Sequence, residues 1–158
     1  MIYITLGTQP CDFSRCMRMV EELVSELKID EPIIAQTGYT SYKPEGFICF
    51  DFISEQQYQK YISSARVIIS HAGTGALFSS IKKGKKVIAV ARLKEYGEMV
   101  NDHQTEIVRK LSNEGYIIDG THSIREAWKE IEAFTPRGCD FQNSLPIVIE
   151  KQLDEWLK

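Results

Sequence analysis

Short apolar runs rich in valine, isoleucine and aromatic residues alternate with stretches of helical period along almost the whole chain, and this alternation restricts the fold more than any other feature of the sequence. Residues 2–6 read as a first strand. Phe13, Cys16, Met17, Val20, Leu23, Val24 and Leu27 then recur at the i, i+3, i+4, i+7 spacing of one apolar helix face, and Pro32 closes that unit. Strands over 33–36 and 47–50 follow, separated by turn-rich residues 38–46, and Ser54 opens a helix with Gln57 placed for a capping box. In 66–70 Val67, Ile68 and Ile69 run consecutively, as a parallel strand covered on both faces requires. A glycine-bearing turn at 71–75 leads into a helix reaching about Lys82, and 87–90 is another buried strand. Residues 101–112 carry Ile107, Val108 and Leu111 on one helical face. Beyond them, 116–118 read as a sixth strand, Ser123 with Glu126 caps a further helix, and 144–157 read as a final one. Strand alternating with helix predicts an α/β fold, a doubly wound, Rossmann-like parallel sheet with helices on both faces.

The chain has 158 residues, enough for one domain, and no repeat, linker or low-complexity tract divides it, so 1–158 reads as a single unit. Its 19 basic and 22 acidic residues leave a net charge of -3, which argues against a nucleic-acid partner. No apolar run approaches the ~20 residues that a membrane-spanning helix needs. Residues 1–6 run straight into the first strand with neither a basic region nor a small-residue cleavage site, so no signal peptide is read and a cytoplasmic location is expected. Cys11, Cys16, Cys49 and Cys139 form neither a C-x-x-C pair nor a disulfide framework and read as small hydrophobes; no metal site is expected.

The loops at the two ends of the strands differ. Helix-to-strand connections at 28–31, 63–65 and 82–86 are plain, whereas those leaving strand carboxyl ends hold Gly7, Thr8 and Gln9; residues 37–39; Phe52 and Ile53; His71 to Gly75; and the long 92–101 segment. In an open parallel sheet that rim is where ligands bind. Gly73 and Gly75 permit positive φ and close backbone approach ahead of a helix start, which suits a phosphate; a tight turn with Thr74 as N-cap explains them equally well. Asp12 or Ser14 reads as a cap for the first helix, and His71 by itself reads as a hydrogen-bonded structural histidine. Asn101 with Gln104 reads as a capping box, and Lys82, Lys83, Lys85 and Lys86 as a solvated edge at a helix C-terminus, with a membrane-surface role as the alternative.

Taken in order, 4–8, Phe13 with Arg15, 36–39, 42–44, 68–75, 84–88 and 100–104 resemble the PssE-like glycosyltransferase subunits over roughly residues 1–120. These are relatives of the donor-binding half of MurG-type enzymes in glycosyltransferase family 28, and of the eukaryotic subunit that adds the second N-acetylglucosamine to dolichol-linked sugar. The resemblance implies the C-terminal half of a GT-B fold: the donor-binding subunit of a two-chain, inverting, UDP-sugar-dependent hexosyltransferase in polysaccharide assembly. Its partner would be a PssD-like membrane-associated chain that binds a polyprenyl-diphosphate-linked saccharide acceptor, so this chain would sit at the inner face of the membrane through that partner. UDP-sugar would be the donor substrate, with no tightly bound cofactor. By the family pattern Gly7, Thr8, Gly73, Thr74 and Gly75 would face the diphosphate, with two facing helix starts stabilising the leaving group. Phe52 and Ile53 would flank the uracil, while Asn101, Asp102 and Gln104 would lie near sugar or ribose hydroxyls. His71 would be an auxiliary acid or anion-stabilising group, the catalytic base coming from the partner. Ser79 stands where members usually carry a ribose-gripping glutamate, Gln9 replaces a common histidine and Ala91 a proline before Arg92. Either Glu95 or Glu98, from the mobile 92–101 loop, would then replace the missing carboxylate, or donor binding would be weak. A non-catalytic nucleotide-binding or enhancer subunit and an unrelated flavodoxin-like module are the alternatives. The final helix would pack at home or reach the partner.

Overall fold

A computed structural model of the chain describes residues 1–138. Six strands, β1 (Ile2–Thr5), β2 (Ile33–Gln36), β3 (Ile48–Phe50), β4 (Val67–His71), β5 (Lys86–Val90) and β6 (Ile118–Asp119), form one sheet in the order β3-β2-β1-β4-β5-β6. Every pairing is parallel, with Ile4 opposite Ala35 on one side and Ile69 on the other. Helices α1 (Ser14–Leu27) and α5 (Ile124–Ile131) cover one face, and α2 (Glu55–Ser64), α3 (Thr74–Lys82) and α4 (His103–Asn113) the other. The final helix expected over 144–157, and Cys139, lie outside the described residues.

Strand alternation divides the core in two. Ile2, Ile4 and Leu6 point toward Cys16, Met17, Val20 and Leu23 of α1 and Trp128 of α5, while Tyr3 points the other way, toward Ile62, Leu77 and Ile81. Each such side chain contributes about 1.5–3 kcal/mol through burial, so the sheet is clamped from both sides. Ser54 does cap α2 through the reciprocal box with Gln57, and the Ser123 hydroxyl accepts from Glu126 N at the start of α5.

Local signals misled in three places. The sixth strand begins at Ile118 because Gly115, at φ +79, and Tyr116 are still hydrogen-bonded to Ser112 and Leu111 in the turn ending α4. Asn101 and Gln104 form no capping box: the N-cap position of α4 is Asp102, without a side-chain cap bond, and Gln104 Oε1 accepts from the Arg92 backbone N–H. The lysines after α3 are not a bare edge. Lys83 donates to the Gln59 carbonyl and the Ser63 hydroxyl of α2, whereas Lys85 donates to carbonyls at the end of α2 and Lys86 to those of Ile131 and Glu132 at the end of α5, so these last two close the C-termini of neighbouring helices. Among the described residues no helix is long and apolar enough to cross a membrane.

Candidate functional site

The chain winds outward in both directions from β1 and β4, and loops leaving these adjacent strands turn to opposite faces of the sheet, which opens a crevice at their carboxyl ends. A cleft of about 390 Å³ lies there, lined by Gly7, Thr8 and Gln9 after β1, by His71 at the end of β4 and by Gly73, Thr74, Gly75 and Ala76 after it. Phe52, Ile53, Glu55 and Tyr58, from the end of β3 and the start of α2, supply another wall, with Thr5, Gln36 and Gln104 completing it.

The imidazole of His71 organises the floor. Nδ1 lies 3.0 Å from the Thr5 carbonyl, which can only accept, so Nδ1 carries the proton and Nε2 presents a lone pair. Burial, reinforced by the charge of Arg92 and only partly offset by the Thr5 bond, pulls the ring pKa down to about 4, so it is neutral at pH 7. Two glycines make room for it. A Cβ on Gly7 would come within 2.5 Å of Nε2, and one on Gly73 would also collide with the ring. Gly73 has φ -71 and no positive φ is recorded at Gly75, so neither is needed for the left-handed backbone that the sequence suggested; Gly73 is required by the ring. Gly75 has nothing within 4 Å of a built Cβ, leaving its face of the helix start open.

Donors converge on this cleft. Thr74 is the first residue of α3 and not its N-cap; that position is Gly73, with no side-chain cap, which leaves the first-turn amides of Thr74, Gly75 and Ala76 without an intrahelical partner. On the facing loop Gln36 Nε2 donates to the Gly7 carbonyl at 3.0 Å. Because the peptide is trans and planar, the Thr8 N–H points away from that carbonyl. The β1 side therefore offers a loop amide and not a second helix start: α1 begins only at Ser14, where the Asp12 carboxylate accepts from the Ser14 and Ser41 amides. Burial raises the Asp12 pKa, but hydrogen bonds from Ser41 and Ser14 outweigh it and bring it to about 2.

Residues 1–137 match the sequence profile of the glycosyltransferase family 28 C-terminal domain. The chain belongs to this family. A human protein named UDP-N-acetylglucosamine transferase subunit ALG13 is 27% identical over 73% of the chain, which spans 10% of that relative. The Debaryomyces hansenii protein of the same name is 32% identical over 57% of the chain and 39% of its own length. An NMR solution structure of ALG13 superposes with a TM-score of 0.60 at 17% identity, over 96% of this chain and 94% of that one. The glycosyltransferase SnogD of Streptomyces nogalater superposes with a TM-score of 0.54 at 18% identity, over 82% of this chain and 34% of that one. The fold is therefore the Rossmann-like C-terminal half of GT-B glycosyltransferases.

Within this family 28 domain, Gly7, Thr8, Phe52, Ile53, His71, Gly73, Thr74, Gly75 and Gln104 line the cleft, whereas Ser79, Asn101 and Asp102 do not. Ser79 stands beside the Tyr58 hydroxyl. Asn101 Oδ1 accepts from His103 N and Asp102 Oδ1 from Lys94 N, so both act on their own loop. That loop is pinned where mobility was expected. Glu98, 5% exposed, binds Arg15 through both carboxylate oxygens at 2.9 Å and also accepts from Leu93 N. It is committed, and Glu95 lies on an exposed 3-10 turn; the carboxylate that lines the cleft is Glu55. Its signal was present but unread: the Ser54 capping box puts Glu55 in the first turn of α2, directly after Phe52 and Ile53. Tyr58, one turn further on, follows from the same spacing.

Proposed function

We propose that this chain is the donor-binding subunit of an inverting glycosyltransferase that takes a sugar from UDP and acts with a second, acceptor-binding chain. The observation that supports this reading most directly is that the loop residues Gly7 and Thr8 and the uncapped first turn of α3 line one open cleft. Such donors favour a diphosphate and, already aimed, stabilise the charge that grows on it as the anomeric C–O bond breaks. Phe52, 52% exposed and in edge contact with Tyr39 at 5.3 Å, offers a face for the uracil, with Ile53 beside it. Glu55 is positioned on the same wall to accept from the ribose diol in place of a carboxylate at Ser79.

In the reaction an acceptor hydroxyl attacks the anomeric carbon, its proton passes to a base on the partner chain, and UDP departs with the bonding electrons. His71 enters this cycle neutral. A diphosphate near Nε2 favours the imidazolium, so donor binding draws a proton onto the ring and makes it the auxiliary, anion-stabilising group. The partner is proposed to be a PssD-like membrane-associated chain, and the acceptor a polyprenyl-diphosphate-linked saccharide in polysaccharide assembly. Names of the relatives as transferase subunits support the two-chain arrangement. Calorimetric titration with UDP in buffers of different ionisation enthalpy tests the site: binding with net proton uptake near pH 6–7 is expected, and absence of binding at millimolar UDP removes the assignment. Sugar transfer by the isolated chain would remove the two-chain claim.

A further inference from the structure

Two arginines meet at the carboxyl end of the sheet in opposite electrostatic states. Arg15 is saturated: Nε and Nη2 donate to the two Glu98 oxygens, Nη2 also to the Ala91 carbonyl, and Nη1 to the Thr121 carbonyl at 2.9 Å. Arg92 is the largest fully buried side chain among the described residues, at 1% exposure, and no carboxylate among those residues pairs with it. Its Nη2 donates to the Leu6 carbonyl at 2.8 Å and Nη1 reaches Gln9 Oε1 at a long 3.4 Å, while Nε has no hydrogen-bond partner among the described residues. The guanidinium also lies 5.2 Å from the Phe13 ring centre, a cation-π contact that only partly replaces hydration.

An unpaired buried cation opposes folding, so its position needs a reason. The position is informative. Leu6 and Gln9 bracket Gly7 and Thr8, so the guanidinium grips the β1 loop at both ends, behind the backbone that lines the cleft, and its own backbone N–H holds Gln104, another lining residue. We propose that Arg92 is a positioning residue for a bound diphosphate: it braces the loop from residue 6 to residue 9 and supplies a positive charge that the Glu98 and Asp12 carboxylates offset without pairing to it, and that a polyanion entering the cleft neutralises further. Its field also opposes protonation of His71 in the empty cleft, which leaves the ring ready to take a proton when the anion arrives. The nucleotide part of this inference rests on the donor-site reading above; the anion part does not.

The test measures affinities of uridine, UMP, UDP and inorganic pyrophosphate for the full chain, for Arg92→Met and for Arg92→Lys, with melting temperatures of each without ligand. Expected are a loss of about tenfold or more for UDP and pyrophosphate in Arg92→Met, less than about threefold for uridine, and recovery of most of the UDP preference in Arg92→Lys. The ligand-free melting temperature of Arg92→Met should stay within a few degrees of wild type, because loss of a buried charge offsets the stranded Leu6 carbonyl. Equal losses for all four ligands, or a melting temperature lower by more than a few degrees with the UDP-to-uridine preference intact, would make Arg92 merely structural and overturn the proposal. Should Arg92→Met fail to fold, Arg92→Gln, which removes the charge and keeps a donor for the Leu6 carbonyl, decides by the same ratio. If wild type binds pyrophosphate in an Arg92-dependent way but not UDP, the inference stands and the nucleotide reading falls; if it binds neither, both fall.

Discussion

The two rims of the sheet use polar groups in contrary ways. At the amino ends of the strands, charged groups meet partners: Arg66 pairs with Glu31 and Glu132, the N-terminal ammonium with Glu31, and Lys83, Lys85 and Lys86 close helix carbonyls. At the carboxyl ends, beside the equally saturated Arg15–Glu98 pair, the first-turn amides of α3, the lone pair of His71 and Nε of Arg92 have no partner among the described residues. Saturation serves stability and unsatisfied groups serve recognition, so a substitution at one rim should move melting temperature and at the other should move affinity.

Gly73→Ala is expected to have the largest effect, because its methyl group meets the His71 ring. It should cost about 1–3 kcal/mol in urea denaturation, typical of overpacking, and abolish UDP binding in calorimetry. Wild-type values for both would show that the ring is not confined. Gly75→Val separates the two quantities: its side chain enters open space, so the fold should stand within about 0.5 kcal/mol while the cleft is blocked. At the other rim, Lys86→Met strands the Ile131 and Glu132 carbonyls and should lower stability by about 1–2 kcal/mol with UDP affinity unchanged. Any change in affinity would blur the division.

Acid titration sharpens it further. His71 titrates near 6.5 when unfolded and about 4 when folded, so between these values the unfolded chain binds more protons and stability falls as pH falls. His71→Asn should flatten the denaturation profile in that window. Glu31, whose carboxyl the Arg66 hydrogen bonds hold below its ordinary 4.5, contributes stability above that value and loses it only at lower pH. Arg66→Ala should therefore lower stability at neutral pH by the smallest amount, about 0.5–1 kcal/mol for so exposed a pair, and alter the slope of the profile only at that lower pH.

Elements were legible in the sequence because periodicity is local: the run of Val67, Ile68 and Ile69 and the pair Ser54–Gln57 carry their own structure. Long-range competition was not legible. Asn101 and Gln104 satisfied the spacing of a capping box, but the Arg92 amide, twelve positions earlier, captured Gln104, and no local pattern records that bond. The same holds for Glu98, which Arg15 removed from the pool of free carboxylates across 83 positions of sequence. At the cleft, positive φ was the wrong reason for Gly73, since what requires that glycine is an imidazole and not its own dihedral angles.

Gln36 links the cleft in one further way. Its buried side-chain amide donates to the Gly7 carbonyl at 3.0 Å and to the Asp51 carbonyl at 2.9 Å, tying the loop after β1 to the residue just before Phe52. One planar amide thus fastens the loop proposed to face the phosphates to the wall proposed to face the base. These parts behave as a cast frame, whose spacing is set at folding and does not wait for a guest. Any closure over a bound nucleotide would then be a swing of the whole frame against another body, with the hinge outside the cleft.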